Sequence, residues 1–224
     1  MQKKDGFKFG IDAVLLADFA KNTKSHRTLD LCTGTGIVPV LLSAKTSTPR
    51  IDALEIQNEI CDMAQRTIIC NNLEDRIHIT EGDLKDAAAI YGKAVFDKIT
   101  VNPPYMKCGT GIVNDTDTKT ISRHEVKCTL EDVISVSAQL LKPKGRLYMV
   151  HRAVRIADVL CLMRKYKIEP KLLRMVHPSP YKAANLMLIE GMRDAAEDLK
   201  ILEPLYVYDD NGKYSADINE IYGR

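Results

Sequence analysis

The chain has 224 residues, of which 45% are hydrophobic and 28% charged. This composition can form a sizeable core and excludes disordered, collagen-like and small disulfide-rich proteins. With 32 Lys and Arg against 30 Asp and Glu, the net charge of +2 indicates no polyanionic partner by itself. No apolar run approaches the roughly 20 residues of a membrane helix, and the N-terminus lacks a signal-peptide pattern. No cysteine or histidine spacing is typical of a metal site. We therefore expect a cytoplasmic protein that needs no metal.

Strand-like runs alternate with helical patterns along most of the chain, which predicts βαβ units around a parallel sheet. One helix is indicated by Ile60, Ala64 and Ile68, which recur four residues apart. Another begins at Thr129, where Asp132 completes a capping-box pattern. The predicted strands are 28–32, 51–56, 77–80, 98–101, 146–150, 172–176 and 186–190. Seven strands of this kind predict one sheet.

The first predicted strand runs into a glycine turn, Asp30-Leu31-Cys32-Thr33-Gly34-Thr35-Gly36. Glycine lets the backbone approach a ligand closely, and the following helix offers unpaired N–H groups. Pro39 stands where a dinucleotide-binding turn has its third glycine, so the pattern does not favour a pyrophosphate ligand. Glu55 ends the second strand, where a carboxylate can accept hydrogen bonds from ribose hydroxyls. Asp83 follows the third strand and could accept from an adenine amino group, although for each acid alone a helix cap or a solvated charge is the more common explanation.

The fourth strand ends in Asn102-Pro103-Pro104-Tyr105, the most specific motif of the chain. Two prolines make a stiff loop at the carboxyl edge of the sheet, where open α/β folds bind ligands. The Asn102 side chain and the Pro103 carbonyl can accept hydrogen bonds from one amino group, and Tyr105 can stack on a planar ring. The alternative is a rigid turn whose Asn is satisfied locally.

In this order, the glycine turn, the two acids and the Asn-Pro-Pro-Tyr motif resemble the class I S-adenosylmethionine-dependent methyltransferases that modify amino nitrogens. Residues 6–17, 123–125 and 185–191 add a similarity to the bacterial valine-tRNA adenine-N6-methyltransferase family. The resemblance implies a Rossmann-like α/β fold with a seven-stranded, mostly parallel sheet, one antiparallel strand and helices on both faces. It further implies a single methyltransferase domain, with an N-terminal helical segment (1–27), a cofactor-binding half (28–105), a substrate lid loop (106–125), a substrate-side half (126–198) and a C-terminal tail (199–224).

The resemblance also implies roles for individual residues. S-adenosyl-L-methionine would be the methyl donor and S-adenosyl-L-homocysteine the product. The catalytic residues would be Asn102, Pro103, Pro104 and Tyr105. The cofactor would be bound by Asp30, Cys32, Gly34, Gly36, Glu55, Ile56, Asp83, Leu84 and Asn102, and the substrate by Phe9, Asp12, Lys107, Arg152 and Arg155.

Between Lys142 and Arg174, ten basic residues stand against two acids. Such a local excess can bind a phosphate backbone, although charge alone favours a solvated helix face with ordinary loop lysines. With the motif it favours RNA, in particular the adenine N6 of a tRNA anticodon loop, as the substrate of a monomer or homodimer that needs no membrane and no obligate protein partner. Three alternatives stay open: DNA adenine, rRNA guanine or protein glutamine as substrate. A non-catalytic module that binds cofactor or RNA is a further one.

Overall fold

The structure is a computed structural model and describes residues 10–104 and 128–223. Nine strands form one sheet within these ranges. The strands are β1 (Arg27–Leu31), β2 (Arg50–Glu55), β3 (Ile77–Glu81), β4 (Phe96–Val101), β5 (Leu141–Arg152), β6 (Ile168–His177), β7 (Leu186–Arg193), β8 (Lys200–Ile201) and β9 (Leu205–Tyr206).

Seven α-helices connect the strands in the described ranges. They are α1 (Ile11–Phe19), α2 (Ile37–Lys45), α3 (Asn58–Cys70), α4 (Ala87–Tyr91), α5 (Leu130–Leu140), α6 (Ile156–Lys165) and α7 (Ala216–Ile221), with 3-10 turns at Leu84–Asp86 and Ala153–Arg155.

The strand order is β3-β2-β1-β4-β5-β7-β6-β8, with β9 also pairing with β6. Strands β1 to β5 pair in parallel, whereas β7 is antiparallel to both β5 and β6. The chain order reverses direction at β1, which β2 and β4 flank. Ligands of open α/β sheets bind at this kind of switch point, beyond the carboxyl ends of the strands.

Apolar residues of the sheet pack against helices on both faces. One buried cluster joins α1, α2 and the tail helix α7 to residues such as Ile51, Tyr148 and Val150. The other joins α4, α5 and α6 to residues such as Leu29, Ile99 and Met149. Because both faces are covered, β1, β4 and the centre of β5 are buried almost without alternation, although β1 and β4 also carry polar side chains.

The predicted fold class is confirmed, including the parallel sheet with one antiparallel strand. All seven predicted strands are present, and so are the helix around Ile60 and the capping box of Thr129 and Asp132. The count of seven strands was too low, because the two-residue strands β8 and β9 are too short to give a pattern. β6 begins four residues before its predicted start. Proline is rare inside strands, so Pro170 hides this part of β6, and the strand accommodates it next to a register shift between Pro170 and Leu172. No helix within 10–104 or 128–223 is long and apolar enough to span a membrane.

Candidate active site

The predicted site residues of three strands lie at one edge of the sheet. Leu31 of β1 pairs with Leu54 of β2 on one side and with Val101 of β4 on the other. The next residues along these strands are Cys32, Glu55 and Asn102. Neighbouring strands are about 4.8 Å apart, so the backbones of Glu55 and Asn102 are separated by about 10 Å.

The glycine turn after β1 has an unusual backbone. Cys32, Gly34 and Gly36 have φ angles of 56°, 57° and 79°, all in the left-handed region. A Cβ at Gly34 would meet no described atom within 4 Å, so backbone conformation, and not crowding, accounts for this glycine. Gly36 caps the N-terminus of α2. The turn therefore offers an open backbone surface that leads into a helix N-terminus.

The Glu55 carboxylate holds this turn in place. Its Oε2 accepts a hydrogen bond from the Gly34 amide at 2.9 Å, and its Oε1 accepts from the Gln57 amide at 3.0 Å. Glu55 is only 4% exposed. A carboxylate has about four acceptor positions, so each oxygen can accept one more hydrogen bond. These two acceptor positions fit a ligand with two adjacent hydroxyl groups, such as a ribose.

Asp30 lies below the turn and is completely buried. Its Oδ1 accepts a hydrogen bond from the Thr100 hydroxyl at 2.6 Å. Burial raises the pKa of Asp30 from 3.8 to about 7, although the hydroxyls of Thr100 and Thr33 oppose the shift. No basic side chain compensates this carboxyl in the described part of the chain. A cationic group bound at the turn, such as a methionyl ammonium, would supply that charge.

Asp83 has a local structural role. Its Oδ1 accepts from the Lys85 amide at 2.9 Å and caps the 3-10 turn that begins at Leu84. Leu84 is buried, whereas Ile56 is partly exposed beside Glu55. The capping interpretation of Asp83 is thus correct for one oxygen, and its second oxygen has no hydrogen bond among the described residues.

The Asn102 motif extends β4 beyond the sheet edge. Asn102 is partly exposed, Pro103 is buried and Pro104 is exposed. His151 lies near this motif, because Val101 pairs with Met149 and the two strands, β4 and β5, run in the same direction. Burial lowers the pKa of His151 to about 4, and its Nδ1 accepts from the Arg152 amide. The imidazole beside the motif is therefore neutral at physiological pH.

The substrate-side predictions are only partly covered. Phe9, Tyr105, Lys107 and the lid loop 106–125 lie outside the described residues. Asp12 lies in the first turn of α1 and is partly exposed. Arg152 ends β5 at the same edge as Asn102 and is exposed. Arg155 lies one turn further on and forms an ion pair with Asp158.

The basic segment does not form one positive surface. Six of its ten cations pair with acids: Lys142 with Asp97, Arg146 with Glu190, Arg155 with Asp158, Arg164 with Glu169, Lys165 with Glu131 and Arg174 with Asp217. Lys144 and Lys171 donate to backbone carbonyls instead. Six of the ten lie along β5 and β6, which run from one end of the strands to the other, and the rest lie on the connection between these strands. A cluster in sequence is therefore scattered in space. Only Arg152 remains without a described acid partner at the edge that carries Asn102.

The structure adds contacts that the sequence did not reveal. The thiols of Cys32 and Cys128 share a hydrogen bond, and this contact together with burial raises the pKa of Cys32 well above its usual range. Thr100 lies opposite Asp30 in the sheet register. The strand order puts β4 beside β1, but the register is also needed to pair Thr100 with Asp30, and nothing in the sequence indicates the contact between the two cysteines.

The fold and this edge define a class I methyltransferase-like protein, with the cofactor turn after β1 and an Asn-Pro-Pro motif after β4. The model of the methyltransferase small domain family matches residues 8–166, and the chain belongs to that family. A tRNA1(Val) (adenine(37)-N6)-methyltransferase of Parabacteroides distasonis is 30% identical over 192 residues, covering 84% of this chain and 77% of the relative.

Two solved structures share the fold. A protein of Agrobacterium tumefaciens, described as a predicted O-methyltransferase, superposes with a TM-score of 0.76 at 18% identity and covers 95% of both chains. Geranyl diphosphate C-methyltransferase from Streptomyces coelicolor has a TM-score of 0.61 at 13% identity, over 81% of this chain and 76% of its own. That structure contains S-adenosyl-L-homocysteine. These findings confirm the predicted family and the methyltransferase class of enzyme.

Proposed function

We propose that the protein transfers the methyl group of S-adenosyl-L-methionine to the N6 amine of an adenine in tRNA, in the anticodon loop next to the anticodon. The observation that carries this proposal is the row formed by Cys32, Glu55 and Asn102 at one sheet edge. In this row, the glycine turn after β1 can bind a ribose and the ammonium group of an amino acid. It lies within about 10 Å of the Asn102 motif, which can bind an amino group.

The cofactor side of the proposal rests on charge and hydrogen bonding. Glu55 would accept from the ribose hydroxyls through the free acceptor positions of its two oxygens, and Asp83 would accept from the adenine amine through its second oxygen. Gly34 and Gly36 would let the backbone contact the methionine part. Asp30 would lie beneath its ammonium group and become ionised. When bound, the cofactor supplies an electrophilic methyl group on a sulfonium.

The catalytic side rests on the direction of a lone pair. The exocyclic amine of adenine is a weak nucleophile because its lone pair is delocalised into the ring. If the Asn102 Oδ1 and the Pro103 carbonyl oxygen accept hydrogen bonds from its two N–H groups, the nitrogen lone pair is directed away from the ring plane and towards the methyl group of the cofactor. This contribution is positioning and electrostatic stabilisation, with no covalent enzyme intermediate. The proton can leave after transfer, when the nitrogen is cationic and acidic.

The substrate assignment rests on the relatives named tRNA1(Val) (adenine(37)-N6)-methyltransferase. An adenine in an anticodon loop is already partly unstacked, so it can reach a motif at the sheet edge at a lower cost than an adenine in a stem. The Asn102 motif alone would equally serve DNA adenine, rRNA guanine or protein glutamine. The choice of tRNA therefore has to be tested directly.

The test is methyl transfer from labelled S-adenosylmethionine to unmodified tRNA, followed by digestion to nucleosides and mass spectrometry. N6-methyladenosine is the expected product, and sequencing of nuclease fragments should locate it beside the anticodon. Ribosomal RNA, an adenine-containing DNA duplex and a glutamine peptide are the competing substrates. The Asn102→Ala variant is the control for a contaminating activity. Label in another substrate and none in tRNA would contradict the proposal.

A further inference from the structure

An exposed aromatic surface lies at the same sheet edge as the candidate active site. Tyr181 is 88% exposed and Val154 is 84% exposed, the two highest values among the exposed large apolar side chains of the described ranges. Val154 follows the end of β5, and Tyr181 lies in the turn 178–185 between β6 and β7. β7 is antiparallel to β5 and β6, so this turn emerges at the edge where β4 and β5 end.

The turn holds Tyr181 on a well-anchored backbone. The Asn185 amide donates to the Val176 carbonyl and the Ala153 amide donates to the Asn185 carbonyl. The Lys182 amide closes the turn onto Ser179, and the Lys182 carbonyl contacts the His177 ring at 2.8 Å. An aromatic ring presented to solvent from a fixed turn loses little conformational entropy when it binds a partner.

Charge favours a polyanion as that partner. Arg152 and Lys182 are both exposed and form no ion pair with an acid of the described residues. In the sequence, Arg152 lies two residues before Val154, and Lys182 directly follows Tyr181. This contrasts with the other cations of the segment 142–174, most of which are neutralised by acids. At the other end of the turn, the Tyr208 amide donates to the Pro178 carbonyl. The next two residues, 209 and 210, are aspartates, so the positive surface does not extend in that direction.

Distance relates this surface to the site. In the sheet, β5 and β7 lie between β4 and β6. The end of β4, which carries Asn102, and the end of β6 at His177 are therefore three strand spacings apart. At about 4.8 Å per spacing, the separation is about 14 Å. Stacked nucleotides advance about 3.4 Å per residue along one strand, so this corresponds to about four nucleotides.

We propose that Tyr181 stacks on a base a few nucleotides from the target adenine, while Arg152 and Lys182 contact the phosphates of that single strand. The proposal rests on the proposed function, because it assigns the RNA-binding surface of the same site. The surface has the composition of a single-strand binder, in which one ring supplies a sequence-tolerant platform and cations follow the backbone. It would determine which adenine of a loop reaches Asn102.

The test compares RNA binding and methyl transfer in matched variants. Tyr181→Ala should weaken tRNA binding about five- to hundredfold, whereas Tyr181→Phe keeps the ring and should remain within about twofold of the original protein. Loss of both Arg152 and Lys182, each replaced by Ala, should reduce the slope of log affinity against log salt by about 1.4. Lys93→Ala, an exposed cation at the opposite edge, is the charge control and should leave that slope unchanged.

Two readouts separate this inference from the proposed function. Binding of S-adenosylhomocysteine should stay unchanged in all of these variants. If the original protein methylates tRNA and Tyr181→Ala binds and methylates it equally well, only the surface assignment is overturned. If the original protein neither binds nor methylates RNA, the proposed function fails with it. A change in self-association of Tyr181→Ala in sedimentation, without a change in RNA binding, would assign this face to a second copy of the chain and overturn the inference.

Discussion

Replacing Asp30 by Asn is expected to stabilise the cofactor-free protein at pH 8 and to change it little at pH 4. The carboxyl is completely buried, and its hydrogen bond from the Thr100 hydroxyl can be kept by the amide oxygen of Asn. The two side chains also have nearly the same shape. The substitution therefore removes a charge without creating a cavity or leaving the Thr100 donor unpaired.

The magnitude follows from the pKa. In the folded protein burial raises the pKa of Asp30 to about 7, whereas the unfolded chain has the ordinary 3.8. Between these values the folded state holds a proton that the unfolded state has lost, so stability falls as the pH rises. About three pKa units at 1.36 kcal/mol each give a cost of about 4 kcal/mol, which is complete above pH 7. The asparagine side chain of the variant is neutral at every pH and avoids this cost.

Urea unfolding of both proteins at pH 4, 6 and 8 measures the difference, which should grow with pH. Asp52→Asn is the matched control: Asp52 is also buried, but it forms ion pairs with Arg27 and Arg50, so its loss should destabilise the protein. If Asp30→Asn is no more stable than the original at pH 8, or if the difference does not depend on pH, the argument about Asp30 is wrong. A confirmed gain would mean that Asp30 is kept at a cost to stability, as functional groups often are.

Much of the fold could be predicted because its signals are local. Strand-forming runs alternate with helical ones, and glycine, proline and cap residues mark their ends. The continuous burial of β1 and β4, by contrast, does not follow from their sequences, which mix apolar residues with polar ones such as Asp30 and Lys98. Local patterns also miss the two outermost strands. β8 and β9 have two residues each, and they form only because β6 has a free side to pair with.

The site was partly predictable for a different reason. Parallel strands end at the same edge, so residues that follow β1, β2 and β4 converge once the strand order is known. Their partners depend on register. Nothing in the sequence pairs Thr100 with Asp30 or the Gly34 amide with Glu55.

Charge counting failed most clearly, because it takes no account of direction. Side chains along a strand point to alternate faces, and the strand itself carries them from one edge of the sheet to the other. Of the ten basic residues, six therefore form ion pairs, and four have no acid partner among the described residues. Arg152 stands out among them only because β5 ends there, beside the turn that presents Tyr181.

Three further substitutions test the site and its support. Asn102→Ala should lower turnover about a hundredfold, as loss of one preorganised hydrogen-bonding group does, while the Kd of S-adenosylhomocysteine measured by calorimetry stays within about twofold; equal losses in both would make Asn102 a structural residue. Glu55→Ala should weaken that binding by about 1.5 to 3 kcal/mol, and Glu81→Ala, its exposed neighbour in register, should not; equal binding by both variants would remove Glu55 from the site. Lys98 is buried, and burial lowers its pKa from 10.5 to about 8. Between these values the unfolded chain holds the extra proton, so stability should rise with pH, by up to about 3 kcal/mol from this group. Lys98→Met should lack this rise in urea unfolding between pH 7.5 and 9.5, and parallel pH profiles of the two proteins would show that the amine is not desolvated in the fold.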